Sequence, residues 1–240
     1  MKFFYTIFVL SLLISCGSPN KKSMQVTGKI DGLRKGTLYL QKLQDSTIIN
    51  IDSFKIQKNS DFRLETEIES PEIYYLYLAK EDGDTLNDRI LFFAEKGEIV
   101  INSLLKTFES SAQISGSENQ VLFEEYQSVL RKFNEQNLNL IKDYIKDDGL
   151  TANEKEQKLT KASKSLLRRR YLYALNYANN NADKEIAAYI GLFEVNDANK
   201  KFLDDLYNKM SEKVKNSTYG LAFGKYLSSL KEEEKAEKTE

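Results

Sequence analysis

Hydrophobic positions change their spacing twice along this chain. Residues 3–14 form an apolar run interrupted only by the mildly polar Tyr5, Thr6 and Ser11. As a helix such a run of about 12 residues spans roughly 18 Å. A bilayer core of about 30 Å needs about 20 residues, so the run is too short to cross one. Behind Lys2 it has the form of the h-region of a secretory signal peptide, which assigns residues 1–15 to that peptide.

From residue 24 to residue 116 the period is two. Val26-Thr27-Gly28-Lys29-Ile30 leads into the turn pair Asp31-Gly32, and Gly36 precedes Thr37-Leu38-Tyr39-Leu40. Phe62, Leu64 and Ile68 fall on one face of a strand, while Arg63, Glu65, Glu67 and Glu69 fall on the other. Residues 73–79 are rich in Tyr and Leu on both faces, the pattern of a central strand covered on both sides. Ile90-Leu91-Phe92-Phe93 and Glu98-Ile99-Val100-Ile101 are further strands, joined at Lys96-Gly97.

Residues 117–230 change to helical spacing. Ser117-Glu118-Asn119-Gln120 and Thr151-Ala152-Asn153-Glu154 both have the form of a capping box. Val121, Leu122, Tyr126, Val129, Leu130 and Phe133 follow the first, and Leu159, Leu166, Tyr173 and Tyr177 the second. Gly149 and the run Asn179-Asn180-Asn181 end these helices, and a shorter one begins after Asp183. Two more fit residues 199–214 and 219–230, and the charged tail 231–240 reads as solvated and frayed. The expected fold is α+β: an antiparallel β-sandwich or open barrel, then a helical region.

Leu13-Ile14-Ser15-Cys16-Gly17 resembles the lipobox of bacterial lipoproteins. The resemblance implies that the Cys16 thiol receives a diacylglycerol, that cleavage falls before Cys16, and that the new amine is often acylated. A thiolate is the nucleophile that thioether formation needs, and small Ser15 and Gly17 leave room around the scissile bond. A lone cysteine is most often an incidental buried thiol, but this one stands at the end of an h-region. Residues 16–23 then form a short lipidated tether.

Surface-exposed lipoproteins of the Bacteroidota usually carry acidic residues just after the cysteine. This tether has none before Asp31 and has Lys21 and Lys22 instead. The expected address is the outer membrane, facing the periplasm. With one cysteine in the chain, no intramolecular disulfide can form.

Composition narrows the function classes. The 240 residues are ample for a real core. Removal of Lys2 with the signal peptide leaves 34 basic against 36 acidic residues, a balance without a nucleic-acid footprint. No histidine is present, which removes the commonest general base and zinc ligand, and no metal site or cofactor is expected. Neither a Gly-x-Ser-x-Gly elbow nor a Walker loop occurs, and residues 32–37 read as a turn. Residues 82–88 are similar to part of a calcium loop, but Leu86 stands where an oxygen ligand is needed, so they read as a hairpin loop.

Glu65, Glu67 and Glu69 are a conceivable carboxylate set for glycoside hydrolysis, yet their alternation with Leu64 and Ile68 marks a solvent face. Arg168-Arg169-Arg170 fan around a helix and read as solvated rather than as one anionic-lipid or partner patch. Tyr171, Tyr173 and Tyr177 read as packing residues, with Tyr173 and Tyr177 the two that have a groove as their alternative. No catalytic residue is assigned.

The body resembles the N-terminal domain of unknown function of Bacteroidota lipoproteins that precedes a thioredoxin-like thiol–disulfide interchange module. The stretches that carry the resemblance are Val26-Thr27-Gly28-Lys29-Ile30, Gly36-Thr37-Leu38-Tyr39-Leu40, Asp52-Ser53 and Asp61-Phe62-Arg63-Leu64. Pro71-Glu72-Ile73-Tyr74-Tyr75-Leu76, Phe92-Phe93-Ala94-Glu95-Lys96-Gly97-Glu98-Ile99 and Ile114-Ser115-Gly116-Ser117-Glu118-Asn119 complete them. The helical half is similar to the segment linking that domain to the redox module, with Ser217-Thr218-Tyr219-Gly220 and Tyr226-Leu227 near its end.

The family implies redox work by a Cys-x-x-Cys, which needs a second cysteine that this chain lacks. The chain ends at Glu240, about where the redox module is expected to begin, and the Asn-Pro frequent between the family's helices is replaced around Asn181-Ala182. The expected function is therefore a membrane-anchored, non-catalytic binding or scaffolding lipoprotein with an envelope protein or small ligand as partner. The alternative is an accessory, cysteine-less member of a thiol–disulfide system.

Overall fold

The computed structural model describes residues 23–44, 46–80, 88–146 and 149–237. Eight strands build two four-stranded sheets. The first has the order β4 (Asp61–Glu67), β1 (Ser23–Asp31), β7 (Gly97–Leu104) and β8 (Gln113–Ser115). The second has the order β3 (Thr47–Gln57), β2 (Lys35–Gln44), β5 (Glu72–Ala79) and β6 (Arg89–Ala94). The alternating residues do what their pattern requires: Val26, Phe62, Leu64, Ile99 and Ile101 meet Leu38, Leu40, Leu76, Leu78, Ile90 and Phe92 in one buried core. The result is a sandwich and not a closed barrel.

One pairing departs from the expected antiparallel pattern. Strands β1 and β7 run parallel, with Met24 opposite Gly97 and Asp31 opposite Leu104. A parallel pair needs a long crossover, and the entire second sheet lies on the chain between these two strands. At Gly28 the strands come so close that a Cβ would stand 1.8 Å from the Ile101 carbonyl oxygen, so only glycine fits.

Six helices follow among the described residues: α1 (Glu118–Ile145), α2 (Ala152–Asn180), α3 (Glu185–Tyr189), α4 (Lys200–Lys209), α5 (Glu212–Lys215) and α6 (Thr218–Glu237). Thr151 and Glu154 form the full capping box. Ser117 caps α1 through the Gln120 amide, but the Gln120 side chain does not return to it. Its Oε1 instead accepts the Phe93 amide at 2.7 Å, in the sheet. The second half of that box is thus spent on joining α1 to β6.

Helix α3 continues into a π-helical turn, Ile190–Glu194. Gly191 permits it: a Cβ there would lie 2.7 Å from the Phe223 ring, which packs onto the turn. Helix α6 extends through Glu237 instead of fraying after residue 230. Lys, Glu and Ala, the residues of this stretch, all favour helix.

The helices bury a second core that borrows from the second sheet. Ile73 and Phe93 are fully part of it, and Tyr75 and Leu91 pack against it. Strand β5 accordingly sends Tyr74, Leu76 and Leu78 into the sandwich and Ile73 into the helical core. The helices cover its outer face at the Ile73 end, while Tyr77 and Ala79 stay half-buried.

Candidate functional site

The lipobox residues Leu13, Ile14, Ser15 and Cys16 lie outside the described residues, as do 82–87 of the calcium-like loop. Asp88 at the end of that loop is buried and pairs with Lys80 at 2.9 Å. Glu65, Glu67 and Glu69 are exposed along the first sheet, with Arg63 at 3.6 Å from Glu65. Arg168 is exposed, Arg169 donates to Gln136, and Arg170 pairs with Glu194 at 2.9 Å. Tyr173 stacks on Tyr126 with the rings 5.7 Å apart and 6° from parallel, and Tyr177 closes on both. These tyrosines pack the base of the α1–α2 hairpin. Among the described residues no group of three His, Cys, Asp or Glu is placed to hold a metal ion.

The second sheet has an outer face with a graded chemistry that follows from its register. Lys35, Thr37, Tyr39 and Gln41 of β2 point the same way, opposite Gln57, Lys55, Ser53 and Asn50 of β3. Tyr77 and Tyr75 of β5 stand beside Tyr39 and Gln41, and Arg89 and Leu91 of β6 complete the rows. Moving toward the helices, the face is cationic, then aromatic, then apolar. No residue of these rows is Asp or Glu.

The middle row is tied together. The Tyr39 and Tyr77 rings stack at 6.1 Å, and the Arg89 guanidinium lies 5.0 Å above the Tyr77 ring. Arg89 Nε donates to Gln41 Oε1 at 3.2 Å, and Gln41 Nε2 donates to Asn50 Oδ1 at 2.7 Å. The register slip between Leu40 and Gln41 brings Asn50 opposite Gln41. At the cationic end, Arg34, Lys35, Lys55, Gln57 and Lys58 border a groove of about 830 Å³. This face suits an anionic ligand that also offers hydrogen-bonding groups. The spacing of single residues does not show it, because it arises from three strands in register; the alternation Lys35-Thr37-Tyr39-Gln41 is the one local signal.

A second polar cluster sits where the helices meet the sandwich. Glu185, at the start of α3, is 1% exposed. Its Oε1 is 2.9 Å from Lys213 Nζ, and its Oε2 accepts Asn119 Nδ2 at 2.9 Å. Asn119 Oδ1 accepts the Ile186 amide at 2.9 Å, and Glu95 Oε2 accepts both Ser117 Oγ and the Asn119 amide. These contacts join α1, α3 and α5 to one another and to the residues after β6. Asn119→Ala removes the partner of Glu185 Oε2 and of the Ile186 amide, and a loss of about 1–3 kcal/mol in urea unfolding is expected.

The phenols near the helical core are poor proton carriers. Burial pushes Tyr126, Tyr189 and Tyr219 well above the usual phenol range. Burial, helped by the Asp197 carboxylate that accepts its hydroxyl, raises Tyr171 to about 12. Burial also raises the Glu72 carboxyl, against the opposing pull of Lys42.

Comparison with known proteins adds one match. Residues 24–123 match a family model described as "Domain of unknown function (DUF4369)". The match starts at the second residue of β1, covers both sheets, and ends at Phe123 in α1. That residue meets the Phe93 ring at 6.1 Å. No curated protein and no solved structure matches the chain.

Proposed function

We propose that this chain is a lipid-anchored protein of the bacterial envelope, held through Cys16, that binds rather than catalyses. The apolar run ending at Cys16 carries the anchoring reading, because that position is where lipoproteins accept their lipid. Lys21 and Lys22 in the tether favour the outer membrane facing the periplasm. The outer face of the second sheet supports the binding reading: its ring, guanidinium and amide groups are pre-ordered by one another, with Gln41 buried, Tyr39 and Tyr77 half-buried and Arg89 and Asn50 exposed. Its ligand is anionic, since Lys35, Lys55 and Arg89 meet no carboxylate within the rows.

A photo-crosslinking residue at position 77 should capture an envelope ligand, whereas one at exposed Leu104 on the first sheet should not. Arg89→Ala should reduce the adduct several-fold without changing the unfolding free energy by more than about 1 kcal/mol. Equal labelling from both positions, or recovery of the protein alone, would count against this face.

A further inference from the structure

One row across the second sheet leaves an aromatic face open. Ser53, Tyr39, Tyr77 and Arg89 stand opposite one another on β3, β2, β5 and β6. Tyr77 is covered on both sides, by the Tyr39 ring at 6.1 Å and by the Arg89 guanidinium at 5.0 Å. Among the described residues, Tyr39 has a ring beside it on the Tyr77 side alone. On its other side stands Ser53, exposed, too short to cover a ring, and on the edge strand of the sheet. The stack Arg89–Tyr77–Tyr39 therefore ends on a π face that a ligand can reach from the sheet edge.

Positive charge runs along the strands from that face. Successive outward rows of an antiparallel sheet lie about 7 Å apart, so Lys55 is one step from the Tyr39 row and Lys35 two, about 14 Å away. Arg34 and Lys58 add two more cations at that end, around the groove. Among the described residues, Arg34, Lys35, Lys55 and Lys58 form no ion pair. Acids of the same strands are engaged elsewhere: Asp52 accepts the Glu65 amide of β4, and Glu72 lies 3.7 Å from Lys42. Thr37, Ser53 and Gln57 interleave hydroxyl and amide groups with the cations and the ring.

We propose that this strip binds an acidic oligosaccharide, with one sugar ring on the open face of Tyr39 and the carboxylates of the following units on Lys55 and Lys35. The proposal rests on the anionic-ligand reading of this face and names the ligand's class. A sugar ring presents weakly positive C–H groups, which the negative face of an aromatic ring attracts. Its hydroxyls both donate and accept, as the hydroxyl and amide groups of the strip do. A small anion cannot span from the ring to Lys35, whereas a chain of charged rings can. A peptide needs pockets for its side chains, and the apolar end of this face, at Tyr75 and Leu91, already packs against the helices. Phosphates are best held by helix N-termini or arginine forks, but strand and turn residues wall this groove and three of its four cations are lysines.

The chain has no tryptophan, so a full chain carrying Tyr39→Trp reports alone. Hexagalacturonate and a hyaluronan hexasaccharide are the acidic probes. The methyl ester of hexagalacturonate keeps the rings without the charge, and hexaglutamate and a thymidine hexanucleotide are the competing anions. A saturable change in emission is expected with an acidic glycan, and none in a Leu104→Trp chain, whose reporter sits on the first sheet. The ester, the peptide and the hexanucleotide should each bind about ten-fold more weakly. By calorimetry, Tyr39→Leu should weaken glycan binding about ten-fold and Lys55→Gln about three-fold, while Tyr39→Phe, which keeps the ring, stays within about two-fold. Equal affinity for the ester, or glycan binding indifferent to Tyr39→Leu in a chain that keeps its urea midpoint, overturns the proposal. A response to hexaglutamate or the hexanucleotide and to neither glycan overturns it but leaves the anionic-ligand reading standing. No response to any of these anions defeats both.

Discussion

A Cys16→Ser chain should remain unprocessed and incorporate no labelled fatty acid. The expectation follows from chemistry at a single atom: a serine hydroxyl is far too weakly acidic to supply the nucleophile that a thiol supplies. The apolar segment before it, residues 3–14, is too short to substitute as a span. Among the described residues no helix is long and apolar enough to cross a membrane. Each buried methylene of an acyl chain contributes about 0.8 kcal/mol, so two or three chains hold the protein firmly where one holds it marginally. Gel mobility of the precursor and incorporation of labelled palmitate are the measurements. Labelling of the serine variant would place the anchor elsewhere.

Phe93→Ala should cost about 3–5 kcal/mol, the range for deleting a large buried aromatic side chain. Phe93 is fully buried. Its ring meets Phe123, Tyr189 and Tyr219 edge-on at 6.1, 6.0 and 6.3 Å, so α1, α3 and α6 all bear on it. The cavity would open at the contact between the second sheet and the helices. The urea midpoint should fall, and the tyrosine near-ultraviolet signal of the helical half should melt ahead of the strand signal. Phe202→Ala, at a half-exposed ring on α4, should stay within about 0.5–1 kcal/mol of the parent. A loss below about 1 kcal/mol for Phe93→Ala would show that the helices are held by other contacts.

Where burial has a short period, the sequence pattern and the structure agree. Phe62 and Leu64 are buried while Arg63, Glu65 and Glu67 are exposed, because adjacent residues of a strand must face opposite ways, and buried Ile68 and exposed Glu69 lie just past the end of β4. The doubly apolar β5 does lie inside its sheet, between β2 and β6. Long-range choices left no such trace. The parallel contact of β1 with β7 is made by residues about seventy positions apart, with no local sign of direction. Ser117 and Gln120 have the residue types of a capping box, but the Phe93 amide competes for Gln120 and wins. The π-helical turn depends on one ring, Phe223, reaching Gly191 from another helix.

The candidate binding face was hidden for the same reason. Tyr39, Tyr77 and Arg89 look unremarkable on their own strands, and only the register of β2, β5 and β6 sets them in a row. Arg168-Arg169-Arg170 is a dense cationic run in the sequence, but Arg169 and Arg170 are tied to Gln136 and Glu194. Among the described residues Lys158, Lys161 and Lys164 of α2 form no ion pair.

The placement of β1 has a mechanical side. The strand that follows the tether is not at an edge: β4 flanks it on one side and β7 on the other. A pull on Ser23 along the strand axis would load both ladders at once in shear, and β1 could not be peeled away one hydrogen bond at a time. A ligand held on the second sheet would draw on the opposite layer of the sandwich. Tension between membrane and ligand would then pass through the core as sliding of two interlocked layers, the direction in which close-packed side chains resist most.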